Sequence, residues 1–177
     1  MTLTGSQKAA TTRAAQSIGV PVEWLMAVIQ NESGGNPAAK NPKSSARGLI
    51  QFVDATAKSL GYASSLALVN QNPTFEEQVE GPVVDYFNLY APFYDRDSFI
   101  GSVFYPAYRS TPYKALPANV QAVNPGITTL HGYVESVWAH YKGIKLVEDA
   151  FPWIFAGGLT WVLWRKYKKL PLIPKMR

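Results

Sequence analysis

The sequence predicts a mainly α-helical fold. Apolar residues recur at helical spacing in several segments, and glycines or prolines stand where those segments end. The clearest apolar face is formed by Val22, Leu25, Met26 and Ile29. The chain contains no alternating apolar–polar run of convincing strand length and no internal repeat.

The first 47 residues predict two helices and a loop. Residues 5–18 are rich in alanine and predict a first helix that ends near Gly19. Residues 22–33 predict a second helix, and the glycine pair that follows is a suitable C-terminal cap. Residues 36–47 are rich in Asn, Pro, Lys and Ser and predict an irregular loop.

The middle of the chain predicts shorter helices. Residues 49–60 predict an amphipathic helix that stops at Gly61. Residues 74–77, Thr-Phe-Glu-Glu, match a capping box and open a helix. Because Gly81-Pro82 interrupts that helix, we expect a kink or two short helices. Residues 99–108 predict one more short helix.

The last predicted helix of the domain follows an irregular connection. Residues 109–126 carry three prolines and predict that connection. An apolar stripe from Ile127 to Tyr141 predicts a helix that ends at Gly143. We therefore assign residues 1–143 to one domain and residues 144–177 to a separate C-terminal segment.

Composition excludes several classes of protein. The 177 residues suffice for one domain with an appendage. There are no cysteines, which rules out disulfides and thiolate metal sites, and His131 and His140 form no zinc-peptidase motif. We expect no metal and no cofactor. Six of the basic residues lie in 165–177, so the other 164 residues carry eleven basic and twelve acidic groups. That near-neutral balance gives no reason to expect nucleic-acid binding.

Glu32 is the candidate for acid catalysis. It occupies the last turn of the second predicted helix, where the helix dipole disfavours a negative charge. It also lies at the margin of the apolar face, so partial desolvation would raise its pKa. A carboxyl group tuned in this way donates a proton near neutral pH. The alternative is a solvated glutamate at a helix end.

The residues around Glu32 resemble a known catalytic domain. Ser33 and a glycine pair follow it directly, and a Gly-Leu-Ile-Gln-Phe segment at 48–52 begins sixteen positions downstream. In order, spacing and helix context these motifs resemble the soluble-lytic-transglycosylase (SLT) type of domain, in the lysozyme-like superfamily that includes goose-type lysozyme. The resemblance implies a lysozyme-like helical fold over roughly residues 15–142. Ile50 stands where methionine is usual.

A third family motif is present only in altered form. The family sequence is Ala-Tyr-Asn-Ala-Gly, and the nearest segment here is Phe-Tyr-Pro-Ala-Tyr at residues 104–108. The segment keeps the tyrosine and the second alanine but lacks the asparagine and the final glycine. Together with Asn-Pro-Gly-Ile at 124–127, this variant resembles the branch found in bacteriophage proteins.

The resemblance implies an activity and a set of residues. The activity is cleavage of the β-1,4 bond between N-acetylmuramic acid and N-acetylglucosamine in peptidoglycan. Glu32 would be the only catalytic acid, and it would then act as the base while a 1,6-anhydro ring closes. The residues expected to contact the glycan are Ser33, Gly48, Gln51, Phe52 and Tyr105.

These substrate contacts have ordinary structural alternatives. Ser33 would hydrogen-bond Glu32 or the substrate, or be a plain helix-end serine. Gly48 would let the backbone approach the glycan, or be a simple loop glycine. Gln51, near the start of its predicted helix, would bind an acetamido group or be an exposed glutamine. Tyr105 would place its hydroxyl near the reaction centre or belong to the core.

Two rival functions remain open. A hydrolysing muramidase on the same fold usually needs a second carboxylate, for which Asp54 and Asp85 are available. A binding or structural protein, such as a virion component associated with a membrane, would keep the fold without activity. Retention of Glu32 together with Gln51 argues against this second rival.

The C-terminal segment predicts an apolar helix. Residues 150–164 are uncharged and would span about 23 Å, which is short of the ~30 Å hydrocarbon layer. Tryptophans lie towards both ends, and a basic cluster at 165–169 follows. The segment is a marginal membrane span, an interfacial helix, or a buried or docking helix. We expect contact with a lipid membrane through residues 150–169.

The expected location follows from the N-terminus and the enzyme class. Residues 1–20 show no secretory signal, so an enzyme for the cell wall needs another route to its substrate. Assembly into a phage particle, with virion proteins as partners, would provide that route. We therefore expect a membrane-associated protein of a phage virion that acts on the bacterial cell wall.

Overall fold

A computed structural model describes residues 2–150, with side chains described up to residue 144. Within this range the chain forms nine α-helices and one 3-10 turn, and it has no strand, only three isolated bridges. The fold is mainly helical, as predicted. The helices are α1 Gly5–Ile18, α2 Val22–Ser33, α3 Asp54–Ser59, α4 Ser65–Gln71, α5 Phe75–Glu80, α6 Pro82–Asn88, α7 Arg96–Phe104, α8 Ala118–Val123 and α9 Leu130–Ala150, and the 3-10 turn is Pro106–Tyr108.

The first two helices have the predicted bounds. A capping box formed by Thr4 and Gln7 opens α1, which ends at Gly19 in the left-handed region with φ 81°. The second helix ends at Gly34, also left-handed with φ 63°. Because the left-handed Gly34 ends α2 directly after Ser33, Glu32 lies in the final turn of the helix.

The prediction of one helix over residues 49–60 is wrong. The helical part is only α3, and residues 47–52 form a tight turn closed by hydrogen bonds between Arg47 and Phe52 at 2.8 and 3.0 Å. Two residues of the turn are left-handed, Gly48 with φ 76° and Gln51 with φ 55°. Leu49, like Phe52, is buried because the turn folds into the core, so apolar residues at helical spacing here do not mark a helix face.

The predicted pair of short helices around Gly81-Pro82 is confirmed as α5 and α6. The sequence did not predict α4, whose buried residues are only Ser65 and Leu68, too few to give an apolar stripe. Nor did it predict α8, which has no buried residue and interrupts the stretch 109–126.

The helix predicted for residues 99–108 is displaced. Asp95 caps the N-terminus of α7, which begins at Arg96 and ends at Phe104. Its first turn is polar, so apolar spacing did not reveal where it starts. The remaining predicted residues form the separate 3-10 turn.

The central core surrounds α2. Helix α2 packs against α1, α7 and α9, and α1 packs against α5 and α6 on its other side. Phe87 and Phe99 stack at a centroid distance of 4.2 Å, and both rings are fully buried. This packing brings the end of α2, the start of α9 and the end of α7 together.

Helix α9 differs from the prediction at both ends. It begins at Leu130, after the buried Ile127, and it continues through Gly143 to Ala150. The predicted helix end at Gly143 is wrong, and the predicted division between residues 143 and 144 falls inside the helix. The apolar segment and basic tail predicted beyond residue 150 lie outside the described residues. Among the described helices, none is both long and apolar enough to cross a membrane.

We predict that Gly143→Ala stabilises the protein by about 0.5–1 kcal/mol, because alanine is a better residue than glycine inside a helix. A Cβ at this position would meet no atom within 4 Å. Urea unfolding would measure the change. Destabilisation would instead indicate a left-handed glycine that ends the helix, as the sequence suggested.

The contrasting variant is Gly101→Ala in α7. Its Cβ would lie 2.6 Å from Cδ2 of the buried Leu130, so we expect a loss of about 1–3 kcal/mol.

Candidate active site

Glu32 lies in the last turn of α2, beside the start of α9. Its Oε1 accepts a hydrogen bond from Nδ2 of Asn31 at 3.1 Å and another from the hydroxyl of Tyr133 at 3.0 Å. The Asn31 amide also lies 3.3 Å from the Tyr133 hydroxyl. Both hydrogen bonds that the structure describes for this carboxyl group therefore converge on one oxygen.

The pKa of Glu32 is raised above its ordinary value. Burial is the largest cause, because the protein surroundings solvate the charged carboxylate less well than water does. The hydrogen bonds from Tyr133 and Asn31 oppose the shift, since they favour the charged form, but they do not cancel it. The direction agrees with the prediction from the sequence, and the dominant cause is desolvation.

Sequence reasoning misses Tyr133. Its ring is buried and stacks on Phe104 at a centroid distance of 4.2 Å and an interplanar angle of 13°. Burial and the nearby Glu32 raise the pKa of Tyr133 well above its usual range, so it keeps its proton and remains a donor. A signal was available, because Tyr133 follows Leu130 by three positions and precedes Val137 by four, on the same helix face. Its partner, however, is 101 positions away in sequence.

Ser33 does not hydrogen-bond Glu32. Its hydroxyl lies 2.9 Å from the carbonyl oxygen of Leu49 and 3.1 Å from that of Ile29, and it accepts a hydrogen bond from the Gly35 amide at 3.2 Å. The serine therefore ties the end of α2 to the turn at residues 47–52. Ser33 thus positions the segment that carries Glu32 relative to the segment at residues 48–52.

A buried glutamine leaves no room for a side chain at position 48. A Cβ on Gly48 would lie 2.6 Å from Oε1 of Gln78, and the left-handed backbone also disfavours a side chain. Gln78 is fully buried, accepts a hydrogen bond from the Leu49 amide and donates to the carbonyls of Pro37 and Asn72. This network explains the glycine through packing inside the protein, without invoking a close approach of the glycan.

Gln51 and Phe52 line a small open pocket next to Tyr86 and Val103, with a volume of about 90 Å³. Gln51 is partly buried, and its Nε2 donates to the Gly48 carbonyl at 3.0 Å. It lies in the turn rather than at the start of a helix as predicted. Phe52 is buried and meets Tyr86 edge to face at 6.2 Å, so it forms the floor of the pocket.

Tyr105 lies directly after the last residue of α7. It is partly buried, and its ring contacts Tyr108 edge to face at 5.1 Å. The tyrosine hydroxyl that hydrogen-bonds Glu32 belongs to Tyr133. A place for the Tyr105 hydroxyl near the reaction centre stays a prediction.

The two aspartates considered for a second carboxylate have other surroundings. Asp54 Oδ1 accepts hydrogen bonds from the amide of Ser65 at 2.9 Å and from its hydroxyl at 2.8 Å. These bonds lower the pKa of Asp54 and hold it at the junction of α3 and α4. Asp85 is exposed on α6.

Neither histidine is among the described hydrogen-bond partners of Glu32. His131 Nδ1 lies 2.8 Å from Asp97 Oδ2, and the ring of Tyr113 packs against it at 4.5 Å. Burial lowers the pKa of His140. In the described part of the chain no three His, Cys, Asp or Glu side chains are grouped so that they could hold a metal ion.

Comparison with known proteins identifies one similarity. Residues 9–75 match the family model of the transglycosylase SLT domain. No curated protein and no solved structure matches the chain. The matched range includes Glu32 and the turn at 47–52, while Tyr133 lies outside it. The match over this part of the chain agrees with the observed helical architecture, which is that expected of an SLT-type, lysozyme-like fold.

We predict that Glu32→Gln stabilises the protein at pH 8 by about 0.5–2 kcal/mol, which is the range of a typical stabilising substitution. Below the unfolded pKa, near 4.5, glutamic acid is neutral in both states and the two proteins should unfold alike. As pH rises through the raised folded pKa, only the wild type must hold a desolvated charge. Thermal unfolding from pH 4 to 8 would measure the divergence.

Glu23→Gln is the control, because this acid lies in the first turn of the same helix. A negative charge there is favourable, so its removal should be neutral or slightly destabilising. Equal stability of Glu32→Gln and wild type at pH 8 would show that the fold does not penalise the charge on Glu32.

Proposed function

We propose that the protein is a lytic transglycosylase that cleaves the β-1,4 bond between N-acetylmuramic acid and N-acetylglucosamine in peptidoglycan. The main observation behind the proposal is the Glu32 carboxyl group, which is partly buried, has a raised pKa and is held by two donors on one oxygen. The match of residues 9–75 to the SLT domain supports the same substrate.

In the first step Glu32 acts as a general acid. Because Asn31 and Tyr133 both donate to Oε1, the other oxygen, Oε2, is the one that carries the proton. Transfer of this proton to the glycosidic oxygen releases the N-acetylglucosamine side as an alcohol while positive charge develops on the muramic acid ring. The carboxylate that remains keeps both hydrogen bonds, which stabilise its negative charge.

In the second step the same carboxylate acts as a base. It removes the proton from the 6-hydroxyl of the muramic acid residue, whose oxygen attacks C1 and closes a 1,6-anhydro ring. Glu32 is then protonated again, so the cycle consumes no water and needs no second carboxylate. The raised pKa suits both steps, since the group must exchange its proton near neutral pH.

The pocket beside Gln51 fits a small polar group of the glycan. Its volume of about 90 Å³ is far below that of a typical small-molecule site, ~300–1,000 Å³, so it would hold one substituent rather than a whole sugar. Gln51 donates to Gly48 through Nε2, which leaves its Oε1 to accept from the N–H of an acetamido group. Phe52 offers an apolar floor to the acetamido methyl group.

The state of Asp54 favours a lyase over a hydrolase. A muramidase usually positions its water with a second carboxylate. Asp54 is occupied by the amide and hydroxyl of Ser65, and Asp85 is exposed on α6. A hydrolytic outcome remains the alternative that product analysis distinguishes.

We predict clearing of purified cell walls by the wild type and a loss of at least about 100-fold in activity for Glu32→Gln, since general acid catalysis contributes roughly 10²–10⁴-fold. Zymography would measure clearing. Mass spectrometry should detect anhydro-muropeptides, one water lighter than reducing ends. Reducing ends would establish a hydrolase, and equal clearing by both proteins, or none by either, would contradict catalysis by Glu32. Glu23→Gln is the matched control and should remain active.

We further propose a membrane-associated role in a phage virion. The support is the sequence of residues 150–169, with its apolar stretch and basic end, together with the resemblance of the segment at 104–108 to bacteriophage proteins.

We predict that the full chain stays with membranes after carbonate extraction, whereas a chain ending at Ala150 is released, because only the full chain carries the apolar stretch. Immunoblotting of the two fractions would measure this. Recovery of both proteins in the soluble fraction would contradict membrane contact and leave the enzymatic proposal untouched.

A further inference from the structure

We infer that Arg109 and Lys114 bind carboxylate groups of the peptide stems that peptidoglycan carries on its muramic acid residues. The inference rests on the proposed function and names a part of the substrate that Glu32 does not touch. It would give the enzyme a charge-based preference for glycan strands that carry acidic stems.

Arg109 is held in place with donors to spare. Its Nη1 donates to the carbonyl oxygen of Tyr90 at 3.0 Å, and its guanidinium carbon lies 5.4 Å from the centroid of the Tyr90 ring. Only this hydrogen bond is made to described residues, and a guanidinium has five N–H groups. The fixed and partly buried cation can therefore receive a carboxylate, for which the guanidinium fork is well matched.

Lys114 provides a second cation nearby in the chain. Its Nζ lies 5.2 Å from the centroid of the Tyr108 ring, and the side chain is exposed. It forms no ion pair with any acid in the described range. Tyr108 therefore supports Lys114 as Tyr90 supports Arg109, and each ring keeps one ammonium or guanidinium group available to a ligand.

Two chains of aromatic contacts connect these cations to the site. Tyr90 contacts Tyr86 at 5.2 Å, and Tyr86 lines the pocket beside Gln51. Tyr108 contacts Tyr105 at 5.1 Å. Tyr105 directly follows Phe104, the residue that stacks on the Glu32 partner Tyr133. These ring contacts lead from Arg109 to a residue that lines the pocket, and from Lys114 to the residue next to Phe104. The proposal is that a substituent of a glycan bound at Glu32 extends along them to the two cations.

The charge distribution of this region favours an acidic ligand. Residues 98–134 contain Arg109 and Lys114 but no aspartate or glutamate. The nearest acids on either side are occupied, Asp97 by His131 and Glu135 by Arg96. An incoming carboxylate would therefore meet two cations without a competing acid in this stretch.

The chemistry of peptidoglycan identifies the ligand as the peptide stem. The sugars are joined by β-1,4 glycosidic bonds and carry neutral hydroxyl and acetamido groups, and the lactyl carboxyl of muramic acid is used in the bond to the stem. Free carboxylates are carried by the acidic residues and the C-terminus of the stem. Two cations beside a glycan cleft would therefore recognise the stem rather than the sugar chain.

The test compares one peptidoglycan before and after its carboxylates are converted to amides with carbodiimide and ammonium ions, which removes charge but keeps the stem. We expect wild type to favour the unmodified form roughly tenfold in kcat/KM, which is the effect of about 1.4 kcal/mol. The double variant Arg109→Gln/Lys114→Gln should cleave both forms at the slower rate. Lys8→Gln, an exposed lysine on α1, is the control and should keep the preference.

Two further variants test the two cations one at a time. Lys114→Gln alone changes an exposed side chain and should lose part of the preference, and Arg109→Lys, which keeps the charge but loses the guanidinium fork, should also lose part of it. Equal cleavage of both substrates by wild type, or an unchanged preference in the double variant, would overturn the inference. Absence of any cleavage by wild type would instead overturn the proposed function.

Discussion

The hydrogen bond from Tyr133 to Glu32 joins the two helices on which the site depends. It links the end of α2 to the beginning of α9 across 101 positions of sequence, and Asn31 completes the contact from the acid's own helix. Because both donors reach one oxygen, they fix the orientation of the carboxyl group and separate the roles of its two oxygens. Burial disfavours the charged form of Glu32, whereas these hydrogen bonds favour it. This balance suits the proposed mechanism, in which Glu32 acts in both protonation states.

A second set of contacts holds the turn at residues 47–52 against the end of α2. Ser33 reaches the carbonyl of Leu49, and buried Gln78 accepts from the Leu49 amide while occupying the space that a side chain on Gly48 would need. The turn at 47–52 is therefore positioned by buried polar groups with their partners satisfied. Ser33 and Gly48, which the sequence motifs present as substrate contacts, thus also take part in the internal packing of the site.

The helices with clear apolar stripes and caps could be predicted from sequence, and so could the raised pKa of Glu32. Helices α1 and α2 have glycine stops, α5 has a capping box, and Glu32 stands at a helix end beside an apolar face. Apolar spacing failed at residues 49–60, because a turn can bury consecutive apolar residues as fully as a helix face does. It also failed for α8, where no residue is buried and periodicity carries no information.

The partners of Glu32 illustrate a different limit. Tyr133 lies within a predicted helix but was not predicted as a site residue, because nothing local to α9 indicates which helix will meet its hydroxyl. The altered third motif named Tyr105 instead, whose place near the reaction centre stays a prediction. Pairing between distant segments is a property of packing, and spacing within one segment does not determine it.

The uninterrupted course of α9 has a consequence for whatever follows it. From Tyr133 to Ala150 the helix runs for eighteen residues, which corresponds to a rod of about 26 Å. One end of that rod touches Glu32, and the other is the last residue that the structure describes. If the segment beyond it contacts a membrane, as we propose, the helix would set a fixed distance between that surface and the carboxyl group.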